Sequence, residues 1–322
     1  MENNMKRLSG GIDRRDFLKL SGILGVGFTA ATVIPASAEA VKFDRKLYKV
    51  SETRLAMGTF VSMTLLHTSR DQASEAICSA FEEIDRLTRD MSRFDQSTAV
   101  AHLNREGRLA DVPPDMANVV RRALSHYRIS NGAFDISVKP VVDLFKNRFS
   151  GKKPSPPTGK EMREALKLVD ASRIELAGNS ILLKKPGMGI TLDGIAKGYI
   201  VDKASEAISK HGIANHLINA GGDIRTSGHR QDGKPWTIAV QDPRKRQRYP
   251  DKIKMTDGAI ATSGNYEVYF DREKMFHHIV NPQSGFSPSA SDSVSVMAET
   301  AMDADALSTS VLSCDRKKGF GL

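Results

Sequence analysis

The residues of this 322-residue chain best able to do chemistry fall in a few short stretches of glycine, carboxylate, hydroxyl and imidazole. Thr191 to Asp202 (TLDGIAKGYIVD) enters a helix through Asp193 and Gly194. The backbone N–H groups left without intrahelical partners at such a start suit a phosphate, although a glycine there more often serves packing or a turn. Asn219 to Arg225 (NAGGDIR) adds a glycine pair that lets the backbone approach a ligand closely, flanked by an acid and a base; a tight turn with an ion pair fits the same residues. His278 to Gly285 (HIVNPQSG) sets an imidazole before a turn limited by Pro282 and Gly285, where a strand end can present it to a cleft. His277 beside it competes for that role, and a lone histidine is structural more often than catalytic. Asp303 to Thr309 (DADALST) puts the Asp305 carboxylate and the Thr309 hydroxyl four residues apart, on one helix face. Two hard oxygens so placed can hold Mg²⁺ against phosphates; an acidic first turn plus a threonine bonded to its own helix is the plainer account.

These stretches need elements to position them. Residues 52–66 read as extended, with Met57-Gly58-Thr59 interrupting the alternation, and lead into a helix whose apolar positions Ala73, Ala76, Ile77, Ala80, Phe81, Ile84 and Leu87 repeat at helical spacing. A second helix follows Pro113-Pro114, buries Met116, Val119, Val120, Ala123, Leu124 and Tyr127, and ends before Gly132. The Pro-rich stretch 151–159 reads as a surface linker, and residues 173–183 as a hairpin about Gly178-Asn179. A helix from Gly194 to His211 closes with Gly212. Strands are expected near Leu217, at Trp236–Val240, Gly258–Thr262, Phe276–Val280 and Val294–Met297, and a last helix at Ala301–Ser313. Hairpins and helices without regular β-α-β alternation predict an α+β fold, and no short-period repeat is present.

The N-terminus reads as an address label. Asp13-Arg14-Arg15-Asp16-Phe17-Leu18-Lys19 resembles the twin-arginine export motif, and the weakly apolar run from Leu20 to Ile34 is too short for a membrane span of about 20 apolar residues. Small residues from Ala36 to Ala40 offer cleavage sites, so residues 1–40 are expected to be a signal peptide, and 41–322 one exported domain at most peripheral to a membrane. Lys and Arg number 47 against 38 Asp and Glu, a net +9 at pH 7 that suits an anionic ligand without requiring one. The densest basic run, Arg244, Lys245, Arg246 and Arg248, has no nucleic-acid motif around it and reads as a solvated loop. Cys78 and Cys314 lie far apart without metal-ligand spacing; a disulfide and two separate thiols both remain open.

Taken in order, the blocks at Met57 (MGT), Ser92 (SRFD), Gly132 (GAFD), Gly194 (GIAKGY), Asn219 (NAGGD), Thr262 (TSGNYE), His278 (HIVNP) and Asp305 (DALST) together resemble the ApbE family. The resemblance implies a T-fold-like α+β fold of mixed helices and antiparallel sheets around an FAD cleft. It implies Mg²⁺-dependent transfer of FMN from FAD to a Thr or Ser in a short motif of an acceptor protein, with AMP released. It also implies FAD contacts from Met57, Phe94, Ala133, Phe134, Asp135, Thr191, Lys197 and Ile279, metal ligation by the Gly194 carbonyl, Asp305 and Thr309, and a catalytic His278. Phe94 stands where the family commonly has tyrosine, which keeps a stacking face and removes a hydroxyl contact.

Three departures qualify the match. The family commonly has an acid at position 191 and none at 193, whereas the pattern here is nearer to the TLNGIAQG of the twin-arginine-exported NosX branch, which implies a NosR-like or Rnf/Nqr-like acceptor subunit in the periplasm. Asn281 replaces a carboxylate before Pro282. After Leu312 the sequence lacks the glycine-containing turn and closing strand usual in relatives. The sequence therefore leaves open two rivals to transfer: an FAD pyrophosphatase giving FMN and AMP, and a periplasmic FAD-binding protein without turnover.

Overall fold

The apolar repeat that starts at Ala73 folds as α1 (Arg70–Met91), opened by the Ser69 side chain accepting from the Gln72 N–H, with every expected position from Ala73 to Leu87 buried. The structure is a computed structural model that describes residues 39–44, 47–151, 153–240, 251–265, 270, 276–289 and 292–314. Three strands precede α1: β1 (Glu39–Asp44), β2 (Leu47–Ala56) and β3 (Thr59–His67). Behind it follow α2 (Ala99–Glu106), β4 (Arg108–Ala110), α3 (Pro114–Ile129), α4 (Lys139–Ser150), α5 (Gly159–Leu166), β5 (Ile174–Ala177) and β6 (Ser180–Leu183). The chain continues through α6 (Ala196–Lys210), β7 (Asn215–Ala220), β8 (Asp223–Ser227), β9 (Trp236–Val240), β10 (Asp251–Met255), β11 (Gly258–Gly264), β12 (Ser293–Ala298) and α7 (Ala301–Ser313).

Among the described residues all strand pairing is antiparallel, in a seven-stranded sheet ordered β1-β2-β3-β7-β8-β11-β12, a three-stranded sheet β4-β6-β5 and a separate β9-β10 hairpin. The large sheet is covered on two faces, and the pleat sorts its residues between them. On β11, Ala259 and Ala261 join the main core under the helices, while Ile260 between them joins Ile224, Ile238 and Met255 beneath the β9-β10 hairpin. Alanine on the helical face leaves room for α7, which packs on β11, β12 and α6. A third cluster, Val141, Val142, Phe145, Phe149, Met162, Ala165 and Val280, joins α4 and α5 to the segment around His278. Among the described residues no helix is long and apolar enough to cross a membrane, and Cys78 and Cys314 form no disulfide.

The α+β expectation holds, with local differences that have physical causes. The extended run 52–66 is two strands, because Met57 (φ 51) and Gly58 (φ 71) both take left-handed backbone and turn the chain into a two-residue hairpin. Phe276–Val280 is not a strand: only His277 forms a bridge, and the chain then curls at Asn281, whose Oδ1 accepts from the N–H groups of Gln283 and Ser284. The linker read at 151–159 gives way at Thr158, which caps α5 in a reciprocal box with Glu161. The 244–248 basic run lies outside the described residues, as does the expected signal up to residue 38.

His216 on β7 is 0% exposed, with Ser205 Oγ 2.7 Å from its Nε2, and burial lowers its pKa to about 4. The folded state thus resists protonating a group that the unfolded chain protonates near 6.5. Its contribution to stability is full above about pH 6.5 and is lost as pH falls towards 4, by up to roughly 3 kcal/mol. Thermal unfolding followed across that window should give a falling Tm, and His216→Gln should flatten the slope; equal slopes for the two proteins would remove His216 as the cause.

Candidate active site

The chemistry-bearing stretches meet in one cleft. The turn before α6 brings Thr191, Asp193 and Gly194, the first turn of α6 brings Lys197, and β8 opens with Asp223. The end of β11 contributes Thr262, Ser263 and Gly264; α7 contributes Asp305, Thr309 and Ser313; the loop after α3 contributes Ala133, Phe134 and Asp135; and the turn at 278–282 contributes His278, Ile279, Val280 and Pro282. Of the residues expected in the site, all but Met57 and Phe94 line this cleft. Met57 forms the β2-β3 turn with its side chain packed on the main core, and Phe94 is 49% exposed beneath the Arg93 guanidinium, 4.4 Å from its ring centre. Arg93 reaches the cleft rim through Asp193, Nε to Oδ2 at 2.8 Å.

Two acids at the cleft are almost without exposure, Asp223 at 1% and Asp305 at 5%. Burial raises both pKa values, and the charge of Asp223 raises that of Asp305 further; Lys197 opposes the shift of each. Lys197 Nζ lies 3.4 Å from Asp223 Oδ2, a buried oxygen with no hydrogen-bond partner among the described residues. Asp305 Oδ2 accepts from the Gly198 N–H at 3.2 Å. One turn along α7, Thr309 Oγ1 lies 3.1 Å from Ser263 Oγ, which lies 2.7 Å from Ser308 Oγ. Gly194 presses on this helix so closely that a Cβ would sit 3.1 Å from Thr309 Oγ1 and Cγ2.

The walls are tied together at Ser313, whose hydroxyl donates to Ala133 O at 2.7 Å and whose carbonyl accepts from Asn281 Nδ2 at 2.9 Å. Asn281 thus works as a clamp on the histidine turn. Phe276 packs at 5.1 Å on Phe145 and 5.2 Å on Phe149, anchoring that turn from the other side. Between these anchors His278 faces the cleft, whereas His277 is 2% exposed with Nε2 3.0 Å from Pro288 O. Asp135 is committed to the fold: Oδ1 accepts from the Ser137 N–H and hydroxyl, Oδ2 from the Ala171 N–H, and burial raises its pKa.

Asp223 and Ser263 are the site residues that reading the sequence for single roles leaves out. Asp223 stands in the NAGGD block, where its partner Lys197 is 26 residues away and no local spacing could pair them. The donor set fits a hard divalent cation. Among the described residues no three His, Cys, Asp or Glu side chains form a cage, but two buried carboxylates with a single nearby ammonium, plus the Thr309 hydroxyl and the Gly194 carbonyl, suit Mg²⁺, which uses one or two carboxylates and completes its shell with phosphate and water.

A model of the ApbE family matches residues 57–322. Relatives named FAD:protein FMN transferase include one from Haemophilus influenzae, 30% identical over 71% of this chain and 70% of its own length, and one from Vibrio cholerae, 29% identical over 74% and 75%. The crystal structure of the ApbE protein of Thermotoga maritima superposes with a TM-score of 0.74 at 30% identity, covering 84% of this chain and 89% of that one.

Gly198 is where the site's geometry is most exposed to substitution. A Cβ there would stand 2.2 Å from Ala301 O and 2.8 Å from Met302 Cα, backbone atoms that cannot swing aside. Gly198→Ala should therefore push α7 off α6, lowering stability by roughly 1–3 kcal/mol or more and displacing Asp305. Chemical denaturation checks this, and an unchanged midpoint would show that the helices separate without cost.

Proposed function

The chain belongs to the ApbE family, and we propose that it is an FAD:protein FMN transferase that moves FMN from FAD to a Thr or Ser hydroxyl of an acceptor protein, releasing AMP. The observation that carries this reading is the opening of His278 onto the same cleft as Asp305, Thr309 and the Gly194 turn. The pyrophosphate of FAD would lie against the start of α6, where the Lys197 ammonium and the positive end of the helix dipole favour anions. Gly194, Asp305 and Thr309 would hold Mg²⁺, which supplies positive charge to the pyrophosphate oxygens when bound.

The acceptor oxygen attacks the FMN-side phosphorus; a P–O bond forms, the bond to the bridging oxygen breaks, and AMP departs with that oxygen. His278 takes the hydroxyl proton, help worth about 10²–10⁴ in rate. Lys197 and the helix start hold the charge of the transferring phosphoryl group, so positioning and electrostatics do most of the work. We further read the chain as exported through the motif at Arg14-Arg15 to the periplasm, where an electron-transfer subunit of NosR-like or Rnf/Nqr-like kind would be the acceptor.

The test incubates purified protein with FAD, Mg²⁺ and a soluble acceptor domain bearing a Thr/Ser motif, and looks for acceptor mass increased by FMN. Asp305→Ala should abolish transfer, while His278→Ala should keep FAD affinity and slow transfer by about 10²-fold or more, less so at high pH. His277→Ala should leave the rate within about twofold, apart from any loss of fold. Free FMN with an unlabelled acceptor would overturn the transferase reading in favour of hydrolysis. For export, cells making the full chain with Arg14→Lys and Arg15→Lys should retain the precursor in the cytoplasm, and undiminished periplasmic protein would point to another route.

A further inference from the structure

A second groove lies beside the cleft and carries charge that the transfer step does not use. One wall is the end of α2 and the start of β4, with Arg105 and Arg108; the other runs from Leu182 to Gly189, with Lys184 and Lys185; Lys139 at the start of α4 completes it. Its two carboxylates are already engaged, Glu106 with Arg105 at 2.8 Å and Asp143 with Lys139 one helical turn away. Lys184 reaches out of the groove to Glu175 at 2.9 Å, and Lys185 donates to the Lys167 carbonyl, a neutral acceptor, at 2.8 Å. Arg108 and Lys185 form no ion pair among the described residues. With both carboxylates engaged, the concave wall keeps an excess of positive charge, which concentrates the potential and favours an anionic occupant.

Groove and cleft share their partition. In the first turns of α4, Lys139, Pro140 and Asp143 face the groove while Val142 and, just before the helix, Val138 face the cleft. Across from it, Gly189 lies in the groove and Thr191 in the cleft, two residues and so at most about 7 Å of chain apart. Asn104 fixes this crossing by donating Nδ2 to Ile190 O at 2.9 Å and accepting the Ile190 N–H at 2.6 Å. A Cβ on Gly189 would meet Lys139 Cδ at 2.8 Å, so the two walls already touch there.

We propose that this groove docks the acceptor protein through an acidic segment beside its acceptor hydroxyl, an inference that rests on the transferase reading above. Carboxylates of an extended segment lie against Arg108 and Lys185, and a hydroxyl a few residues further along reaches the cleft mouth. The groove adjoins the cleft across a single partition, so a segment of the protein whose hydroxyl enters the cleft is the occupant. Because the contact is between charges at the surface, it governs KM and salt dependence and leaves kcat alone.

Two fluorescein-labelled peptides of equal length test it, one with a Thr flanked by Asp and Glu, the other by Asn and Gln, read by anisotropy. The acidic peptide should bind at least about tenfold more tightly, with the gap closing in high salt. Arg108→Glu with Lys185→Glu should abolish the preference, Arg108→Lys with Lys185→Arg should retain it, and FAD binding should stay unchanged in both. With an acceptor domain carrying the acidic flank, the reversed variant should raise KM about tenfold at constant kcat. Equal binding of the two peptides, an unmoved KM, or binding of phosphatidylserine vesicles lost with the same variant would overturn the docking role. Charge-dependent peptide binding without any flavin transfer would instead leave the groove standing and sink the transferase reading.

Discussion

Two buried carboxylates that share a single ammonium are the constraint on which the rest of this molecule turns. Asp223 and Asp305 are held out of water with Lys197 as their common cation, an arrangement whose cost falls when a further positive charge enters. To bring the three together the chain must place a strand start, a helix start and the middle of another helix at one point. The Gly221–Gly222 turn, with φ of 60 and 104, swings Asp223 inward, and Gly221 leaves the space that Thr59 fills. Glycine at 198 lets α6 and α7 cross in backbone contact, so the Gly198 N–H itself bonds Asp305.

Helix α7 is pinned along its length, which is what fixes Asp305 and Thr309 relative to the cleft. At its start, Asp202 on α6 accepts from the N–H groups of Ala301 and Met302, and Thr300 accepts from the Asp303 N–H. Burial works against ionisation of Asp303, but bonds from His126 and Arg122 hold it well below the usual carboxylate range, tying the same turn to α3. At its end, Ser313 joins the Ala133 loop and the Asn281 turn.

The histidine turn depends on a different kind of force. No regular strand holds residues 276–280; instead Phe276 and Val280 bury in the small aromatic cluster of α4 and α5, and Gly285 fits closely against Met162. Apolar anchoring on both sides of His278 lets the imidazole face the cleft on irregular backbone. The same α4 divides cleft from basic groove, so one short helix positions the proposed base and separates it from the proposed docking surface.

What the sequence determined by itself was everything written in local periodicity or in ordered blocks. The stripe from Ala73 to Leu87, the Gly178-Asn179 hairpin, the four-residue spacing of Asp305 and Thr309 and the glycine-led start of α6 all follow from neighbours a few residues away, and the run of blocks from Met57 to Thr309 pointed to the family. Tertiary structure alone decided which groups face one another. That His278 rather than His277 faces the cleft depends on Pro288 and Phe145; that Asp223 meets Lys197 depends on a helix and a strand 26 residues apart; that Met57 packs on the core and Phe94 lies outside the cleft depends on where a hairpin turn and an exposed loop fall. Periodicity tells a side chain which side of its own element it occupies, while its chemistry is set by groups that only the packing of distant segments brings within reach.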